Sequence, residues 1–440
     1  MSNATTLLLG LQGVTVDRVV LRPGGVREVH VSTADPCAAG CPSCGEVSTS
    51  PKQWVTTRPR DLPYGETPVV VVWRKRRWRC QVVECPAGSF TEQIVEVPAR
   101  ARVTSRVRRA IGAAVGDANR AVSEVATVFG VSWPTAHDAV VVAADAALVE
   151  PAPTAVLGID ETRRGKPRWE REAVTGRWRR VDRWDTAFTD LAGDQGLLGQ
   201  VEGRTKGCVA DWLTARTPEF RAAISYVVID PAAVYRSAIT PDLLPNARVV
   251  VDHFHLVKLA NDALTDVRRR VTWALRGRRG RKLDPEWANR RRLLTAHGRL
   301  SQRSFTRMWN DLVEGDPSGQ ILTAWIAKEE LRGLLALART SPARHVIAAH
   351  LGDFYTWCAN TDIPELHRLA TTVETWWPEI ERFLHTGLTN ARTEGINRII
   401  KDVGRRACGF RNPDNHRRRV RFHCTRKSRQ VPATSATVPA

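Results

Sequence analysis

Three acidic residues, Asp160, Asp230 and Glu394, have the type and context expected of one catalytic site. Asp160 and Asp230 each end an apolar run, and Glu394 lies in a segment with helical periodicity. Separations of 70 and 164 residues leave room for strands and a crossover first, and then for a helical insertion before the third acid. Three such carboxylates can hold two Mg²⁺ ions roughly 4 Å apart, one activating an attacking oxygen and one stabilising a leaving oxygen. This oxygen-only set suits phosphodiester chemistry and favours Mg²⁺ or Mn²⁺ over zinc.

The apolar runs predict the strands that would position the aspartates. TAVLGIDETRRG (154–165), AISYVVIDPAAVYRSAI (223–239) and ARVVVDHFHLVKLA (247–260) each read as a buried strand followed by a turn or helix, which is the rhythm of an α/β sheet. Acids at the carboxyl ends of such strands line a crevice. Asp252 ends the third run and is the chief rival to Asp230. Glu161 would point to the other face of its strand, away from the metals.

The segment TNARTEGINRIIKDVGRRACGFRN (389–412) predicts the helix that carries Glu394. Its isoleucines and Val403 form an apolar stripe, at 396, 399, 400 and 403, and the opposite face carries Asn390, Glu394, Asn397 and Lys401. Taken alone, this polar face is typical of a solvated helix surface. The two aspartates favour another interpretation, in which neighbouring amides and cations hold ionised Glu394 and the adjacent phosphates of a nucleic acid.

Five of the nine cysteines crowd the first hundred residues, which in a reducing compartment suggests a metal site rather than disulfides. Cys41 and Cys44 form a CPxCG turn, and Cys80 and Cys85 supply a second pair, so four thiolates can bind one structural Zn²⁺. Cys37 is a spare candidate ligand. The alternative is a small β-rich domain with buried cysteines. The basic run 74–79 suggests a strand whose cations touch a nucleic-acid backbone, or else an exposed edge strand.

Charge points to a polyanionic partner. The formal net charge is +20 with a pI near 10.4, and most of the positive charge is arginine, which favours bidentate contacts to phosphate. The sequence shows no run of 18 apolar residues and no leader-like N-terminus, so we expect no membrane partner and an intracellular location.

Residues 121–140, AVSEVATVFGVSWPTAHDAV, predict a helix, a glycine-containing turn and a second helix. Ser132 would cap the second helix, which would begin at Trp133 and read a DNA groove, with Trp133 and Thr135 as candidate contacts. Short helical pairs also occur in ordinary helical cores.

Four domains follow from these patterns: a zinc-binding domain (1–98), a helix-turn-helix domain (99–150), an α/β catalytic domain (151–425) with a helical insertion at about 262–385, and a disordered tail (426–440). Trp376 and Trp377 precede the last helix; they are more typical of a core than of a platform for an unpaired base.

Several of these motifs resemble the ISL3 family of insertion-sequence transposases. The resemblance rests on GIDE (158–161), VVID (227–230), VDHFHLVK (251–258) and NARTEGINRIIKDVGRRACGFRN (390–412), and the CPSCG and RWRC segments match that family's zinc element. It implies an RNase H-like DDE domain, with Asp160, Asp230 and Glu394 as first, second and third acids. Asp252 and His255 look like the D-x-x-H motif downstream of the second acid in related transposases. The long basic segment 163–184 departs from the family pattern.

The resemblance implies an enzyme that cleaves transposon ends and transfers a strand into target DNA, with two Mg²⁺ ions per site and a structural zinc. Double-stranded DNA would be the partner, a homo-oligomer would form on it, and the location would be the bacterial cytoplasm at the nucleoid. The expected DNA-side residues are Arg392, Asn397, Arg398, Lys401, Arg405 and Arg406, extended by Arg411 and the 417–421 run. A DNA-binding regulator without chemistry and a structure-selective nuclease of the same fold are the alternatives.

Overall fold

The computed structural model describes residues 4–430, which form two compact units. One unit contains the chain up to Glu150 together with residues from Ile399 onward, and the other is Pro151–Arg398. The strands are β1 (Val14–Leu21), β2 (Arg27–Thr33), β3 (Pro51–Thr57), β4 (Arg60–Tyr64), β5 (Thr67–Arg79), β6 (Ser89–Thr91), β7 (Val156–Arg163), β8 (Arg168–Arg171), β9 (Trp178–Val181), β10 (Trp184–Asp190), β11 (Leu197–Glu202), β12 (Tyr226–Ile229) and β13 (Arg248–Val251). The helices are α1 (Ala4–Leu9), α2 (Ser105–Gly116), α3 (Val122–Val128), α4 (Trp133–Ala147), α5 (Lys206–Thr214), α6 (Pro218–Ala223), α7 (Ala233–Ala238), α8 (His253–Arg276), α9 (Pro285–Ala288), α10 (Arg290–Leu294), α11 (Gln302–Gly315), α12 (Gln320–Ala336), α13 (Arg344–Ala359), α14 (Pro364–Thr375), α15 (Trp377–Thr386), α16 (Ala391–Arg406), α17 (Pro413–Cys424) and α18 (Arg426–Gln430).

The first unit opens with a six-stranded sheet. β5 pairs with β2, β3, β4 and β6, so it is a central strand, and its Trp73 is fully buried in the core below. The basic run 74–79 continues β5 and pairs with β3 and β6, which makes the edge-strand alternative wrong. On the open face of the sheet, Arg74 and Arg76 lie over the exposed ring of Trp54, at 4.6 and 5.0 Å from its centre.

Three helices, α2, α3 and α4, follow the sheet and share a small core that includes Ile111 and Val125. Gly130 has φ of 60° in the connection between α3 and α4, a backbone conformation that glycine adopts without strain. The Ser132 hydroxyl accepts a hydrogen bond from the Thr135 backbone N–H at 3.4 Å, which caps the first turn of α4. The predicted helix, turn, helix plan and the predicted cap are therefore confirmed as local structure.

α17 belongs to this first unit. The ring of Phe422 packs against Gly116 at the end of α2, and the Arg418 guanidinium donates to Asp145 on α4 at 2.8 Å. Residues from Ile399 therefore pack with the helices of the first unit, whereas the predicted domain 151–425 includes them.

The C-terminal segment 426–440 differs in part from its prediction. Residues 426–430 form α18, whereas the remaining ten residues of the predicted tail lie outside the described residues. A disordered start at residue 426 is therefore wrong.

The second unit is built on a five-stranded sheet of order β11-β10-β7-β12-β13. β11, β10 and β7 are antiparallel neighbours, while β12 runs parallel to β7 and β13 runs parallel to β12. Leu157, Ile159, Phe188, Val228 and Val250 are fully buried in its core. The three strands predicted from apolar runs are confirmed as β7, β12 and β13, and they occupy the centre and one side of this sheet.

A separate two-stranded hairpin, β8–β9, is inserted between β7 and β10. It carries Trp169 and Trp178 with side chains about two-thirds exposed, at 65% and 66%. Most of the basic segment 163–184 therefore lies in this hairpin, outside the main sheet, and only its ends at Arg163 and Trp184 pair within that sheet.

Helices α8 to α15 form the helical segment of the second unit, from His253 to Thr386. It begins nine residues before the predicted start at 262, because α8 follows β13 almost directly. Trp376 is buried and Trp377 packs against the same core, which confirms the core interpretation of this pair. Within the described residues, no single helix is long and apolar enough to cross a membrane; only α3 and α4 taken together, across a 112° bend, meet that test.

Candidate active site and zinc centre

Three aspartates lie on or directly after three neighbouring parallel strands: Asp160 lies within β7, whereas Asp230 and Asp252 directly follow β12 and β13. β12 pairs with β7 through Val228 opposite Gly158, and continuing this register by two residues places Asp230 level with Asp160. β12 pairs with β13 through Ile229 opposite Val251, so Asp252 follows level with Asp230. Residues level with each other in parallel strands point to the same face of a sheet. The structure therefore brings Asp160 and Asp230 to one site, as expected, and adds Asp252.

Asp160 is the most electrostatically perturbed of the three. Its side chain is almost entirely buried, with the residue 8% exposed. Burial, followed by the negative charge of Asp230, raises the pKa of Asp160 to about 7. A neighbouring carboxylate and a dry environment both oppose ionisation, and a cation bound between the two acids would relieve both effects.

Two amides connect the start of α16 to β7. Asn397 Nδ2 donates to Asp160 Oδ2 at 2.5 Å, and Asn397 Oδ1 accepts from the Thr162 hydroxyl at 2.7 Å. Directly before the helix, Asn390 Nδ2 donates to the Ile159 carbonyl at 3.3 Å. The polar face of this helix is therefore partly a buried contact with the sheet.

Glu394 lies in the first turn of α16, and its side chain is half-buried. It is four residues after Asn390 and three before Asn397, so it shares the helix face that meets β7. The structure thus places the third acid on the face that adjoins the strand of Asp160. Glu161 points away, because its carboxylate accepts a 2.6 Å hydrogen bond from the Tyr235 hydroxyl, in agreement with its exclusion from the site.

His255 lies between Asp230 and Asp252. Its Nδ1 is 2.9 Å from Asp230 Oδ1 and 3.6 Å from Asp252 Oδ2, and one ligand atom from each of the three residues lies within 4.8 Å of the others. Burial would lower the pKa of His255, but the two carboxylates raise it to about 10. Burial would also raise the pKa of Asp252, yet the imidazoles of His253 and His255 lower it. Both residues that the D-x-x-H pattern singled out therefore lie beside Asp230.

The carboxylates offer oxygens that a hard cation can use. Asp230 Oδ1 and Asp252 Oδ1 are buried and have no hydrogen bond of good geometry among the described residues, although both lie within ion-pair distance of an imidazole. Oxygen donors that lack hydrogen-bond donors are the ligands that Mg²⁺ and Mn²⁺ prefer. The residues present therefore fit a divalent cation.

Two of the expected DNA-side residues on α16 point elsewhere. Asn397 is buried and its amide binds Asp160 and Thr162, so it faces the sheet and not the surface where a phosphate contact was predicted. The Arg392 guanidinium donates to the Gly193 carbonyl and, at 2.9 Å, to Asp194 in the turn between β10 and β11.

The other predicted cations of α16 reach the surface. Arg398 and Lys401 are exposed, and Arg405 and Arg406 flank Asp402 at 3.7 and 3.0 Å while remaining mostly exposed. Further along the predicted basic track, Arg419 is an exception.

The Arg419 side chain is buried, and its guanidinium donates to the Arg120 carbonyl at 2.8 Å. Its assignment to a DNA-facing track is therefore wrong. It joins α17 to the helices of the first unit.

Four thiols form a compact group in the first unit. Cys41 Sγ is 3.7 Å from Cys85 Sγ, Cys44 Sγ is 3.6 Å from Cys80 Sγ, and all four sulfur atoms lie within 4.8 Å of one another. Tetrahedral zinc with Zn–S bonds of about 2.3 Å places its sulfur ligands about 3.8 Å apart, so the group fits a structural Zn²⁺. Cys37 is exposed and lies outside the group.

The start of α4 presents the two residues predicted to contact a groove. Trp133 is half-exposed and stacks on His137, with ring centres 4.8 Å apart. Thr135 is partly buried, and its hydroxyl lies 2.9 Å from that of Ser132. Trp133 is thus open at the helix start, whereas Thr135 also takes part in the cap.

Comparison with known proteins gives two family matches. Residues 157–420 match the ISL3 transposase family, and residues 38–85 match the zinc finger of transposases IS204/IS1001/IS1096/IS1165. The first match contains the acids and α16, and the second contains all four clustered thiols.

Individual relatives agree with these matches. The chain is 26% identical over 411 residues to the transposase for insertion sequence element IS1001 of Bordetella parapertussis, over 92% of this chain and 94% of that protein. It is also 27% identical over 251 residues to the transposase for insertion sequence element IS1557 in two strains of Mycobacterium tuberculosis, over 54% of this chain and 55% of those proteins.

Proposed function

Because this chain belongs to the ISL3 family of transposases, we propose that it is a DDE-type enzyme that binds the terminal inverted repeats of an insertion sequence, cleaves the DNA there and transfers the strand into a target. The observation that carries this proposal is the position of Asp230, directly after β12, level with Asp160 on β7 and beside the helix of Glu394. Separate segments that bring three acids to one edge of a sheet are what phosphodiester chemistry with divalent ions requires.

An RNase H-like fold is part of the proposal. The antiparallel trio β11, β10 and β7, followed by two strands parallel to β7, supports it, as does the helix that returns to the sheet with the third acid. The helical segment α8–α15 stands between the last strand and that helix, where the sequence predicts a helical insertion.

Asp160, Asp230 and Glu394 would hold the Mg²⁺ or Mn²⁺ ions. When bound, two such ions activate an attacking oxygen and stabilise a leaving oxygen. The chain's own residues prepare the acids: Asn397 fixes the orientation of the Asp160 carboxylate, and His255 holds that of Asp230. Asp252, whose pKa is lowered by two imidazoles, keeps His255 in place or serves as a further ligand.

DNA recognition would come from the first unit. α3 and α4 support a helix-turn-helix reading, with Trp133 and Thr135 at the start of the groove-facing helix. The zinc element would add contacts through the cations of β5, and Arg398, Lys401, Arg405 and Arg406 would contact phosphates from α16. Because two ends must be processed together, we expect a homo-oligomer on DNA, at the nucleoid.

Replacing Asp160 by Ala tests the proposal. The variant should bind the DNA ends that flank the gene as the wild type does, and it should lose cleavage and strand transfer in Mg²⁺. Asp262→Ala removes an exposed carboxylate from α8 and is the matched control, which should cleave normally. An Asp160→Ala protein that still cuts in Mg²⁺ would refute the assignment.

The same assay separates the alternatives. A structure-selective nuclease would cut without preferring the flanking ends over unrelated duplexes of equal length. A regulator would bind those ends but leave them intact even as the wild-type protein.

A further inference from the structure

A basic pocket of about 550 Å³ lies in the helical segment, where the end of α8 meets α9 and α10. Its size is that of an ordinary small-ligand site. The charged side chains that line it are all arginines, and no carboxylate is among the lining residues. We call this site the Arg–Trp pocket, and the lining residues that bear on its chemistry are Arg268, Arg269, Trp273, Arg278, Trp287 and Arg290.

The buried acids nearest to the pocket are already engaged. Asp284 accepts two hydrogen bonds from Arg278, at 2.7 and 3.0 Å, and Glu286 accepts two from Arg276, at 3.1 and 3.5 Å. Arg268, by contrast, is half-buried, and in the described part of the chain its guanidinium has no hydrogen bond or ion pair. A half-buried cation without a hydrogen bond favours an anion from outside.

Like charges crowd this arginine. Burial, followed by the neighbouring guanidinium groups of Arg269 and Arg290, lowers the pKa of Arg268, and the carboxylate of Glu286 offsets only part of this effect. Arg290 is itself fixed, since it lies 3.4 Å from the ring centre of Trp287 and donates to that residue's carbonyl at 2.8 Å. A phosphate among these three cations would replace mutual repulsion with charge-assisted hydrogen bonds.

An aromatic surface adjoins the cations. Trp273 follows Arg269 by one helical turn, so the two side chains share a face of α8. Its indole is 63% exposed, which is unusual for so large an apolar group, whereas the ring of Trp287 is covered by Arg290. A planar group joined to a phosphate can therefore reach both features at once.

We propose that the Arg–Trp pocket binds one unpaired nucleotide of a DNA strand, with the phosphate among Arg268, Arg269 and Arg290 and the base stacked on Trp273. A free nucleotide has the same chemistry. The choice of a DNA strand as its source rests on the proposed function, whereas the anion and stacking site does not.

The test measures binding of a fluorescent single-stranded oligothymidylate to the full chain in buffer without divalent ions. Trp273→Ala and Arg268→Gln should each weaken this binding by roughly tenfold, while Trp273→Phe, which keeps an aromatic face, should retain most of it. Arg303→Gln, an exposed arginine on α11 outside the pocket, is the matched control and should bind as the wild type does. Unchanged melting temperatures of all variants would show that the fold is intact.

Competition identifies the source of the nucleotide. Free thymidine monophosphate should compete far less well than the unlabelled strand at equal nucleotide concentration. Equal competition would overturn the strand assignment, and wild-type affinity in both Trp273→Ala and Arg268→Gln would overturn the pocket. Because no ions are present, a failure of catalysis leaves this result unaffected: strand binding that depends on Trp273 in a protein unable to cut DNA would refute the proposed function alone.

Discussion

Gly158, which has no side chain, allows the helix of Glu394 to lie close to the strand of Asp160. A Cβ atom on Gly158 would lie 2.4 Å from the Thr393 hydroxyl oxygen and 2.8 Å from Asn390 Oδ1, both closer than real Cβ contacts allow. Hydrogen at this position lets the start of α16 lie directly on β7. The same close approach lets Asn397 reach Asp160, so a residue with no functional group helps to position the acids.

Replacing Gly158 by Ala should therefore disturb the site without touching its chemistry. We expect a loss of about 1–3 kcal/mol in unfolding free energy, because the added methyl group must push α16 away from the sheet. Cleavage should fall, since the Asn397 to Asp160 hydrogen bond lengthens. Denaturant unfolding and a cleavage assay measure the two effects.

Gly352→Ala provides the control for this substitution. Gly352 lies within α13, and no atom lies within 4 Å of where its Cβ would be. Alanine there should stabilise the helix by about 0.5–1 kcal/mol. Equal stability of the two variants would contradict the close packing of α16 on β7.

At the scale of single residues, the sequence predicted the acidic side chains better than the side chains that contact them. Asp160 and Asp230 could be found because each ends an apolar run, and strand ends converge at one edge. Asn397 was predicted to contact phosphate because helical periodicity defines a face but does not say what packs on it. The choice between Asp230 and Asp252 could not be made from sequence, since the two strands are neighbours and both acids enter the site.

Few apolar residues pack around the zinc element, which carries the four clustered thiols. The Cys41 and Cys44 turn and the loop that carries Cys80 and Cys85 meet at the end of β5, where Trp78 and Phe90 supply only a small apolar cluster. A cluster of this size contributes little, so we expect a bound Zn²⁺ to stabilise this end of β5, whereas Val71 and Trp73 anchor the rest of the strand in the larger core of the sheet.

Chelation of zinc should loosen this element selectively. Residues 37–92 should become sensitive to protease, while peptides from β7 and β12 keep their slow hydrogen exchange, because the binding energy of a structural zinc is largely local folding energy. Limited proteolysis with mass spectrometry, before and after removal of the metal, is the measurement.

Two cysteine variants serve as controls for that experiment. Cys37→Ser should leave the metal content unchanged, since Cys37 lies outside the thiol group, whereas Cys85→Ser should lower it. Unaltered cleavage of residues 37–92 in protein shown to have lost its zinc would argue against the site.

Strands and helices with a regular spacing of apolar residues could be predicted from the sequence, whereas elements without such spacing could not. The run that forms β10 is buried along nearly its whole length, so it shows no alternation between apolar and polar positions, and its polar Thr186 and Thr189 disguise it further. The hairpin β8–β9 has the opposite difficulty: its strands are almost fully exposed, and its charged sequence resembles a loop. Burial on both faces or on neither removes the signal on which strand prediction depends.

At the scale of the whole molecule, the first unit is built from parts of the chain that are far apart in sequence. Phe422, on α17, is buried against Gly116 at the end of α2, and His423 Nδ1 lies 2.6 Å from the Gly116 carbonyl oxygen. Sequence periodicity could describe α17 as a basic amphipathic helix. It could not show that this helix completes the core of residues more than 300 positions earlier.

Phe422→Ala should destabilise the first unit by about 3–5 kcal/mol, because it leaves a cavity where the ring packs on α2. Hydrogen exchange should accelerate in α2 and α4 and stay slow in β7 and β12. Phe254→Ala, at an exposed position on α8, makes the same chemical change and should cost less than about 0.5 kcal/mol. Faster exchange in β7 and β12 alone would contradict the assignment of α17 to the first unit.

The long separation between Asp160 and Asn397, 237 residues, has a consequence for synthesis. Domains usually fold as they leave the ribosome, starting from the amino terminus. Here the strand of the first acid must wait for the amide that orients it, and α2 must wait for the ring that covers its last turn. A frameshifted or interrupted copy that stops before about residue 390 would therefore lack both finished units, and we expect it to be inert instead of half-functional.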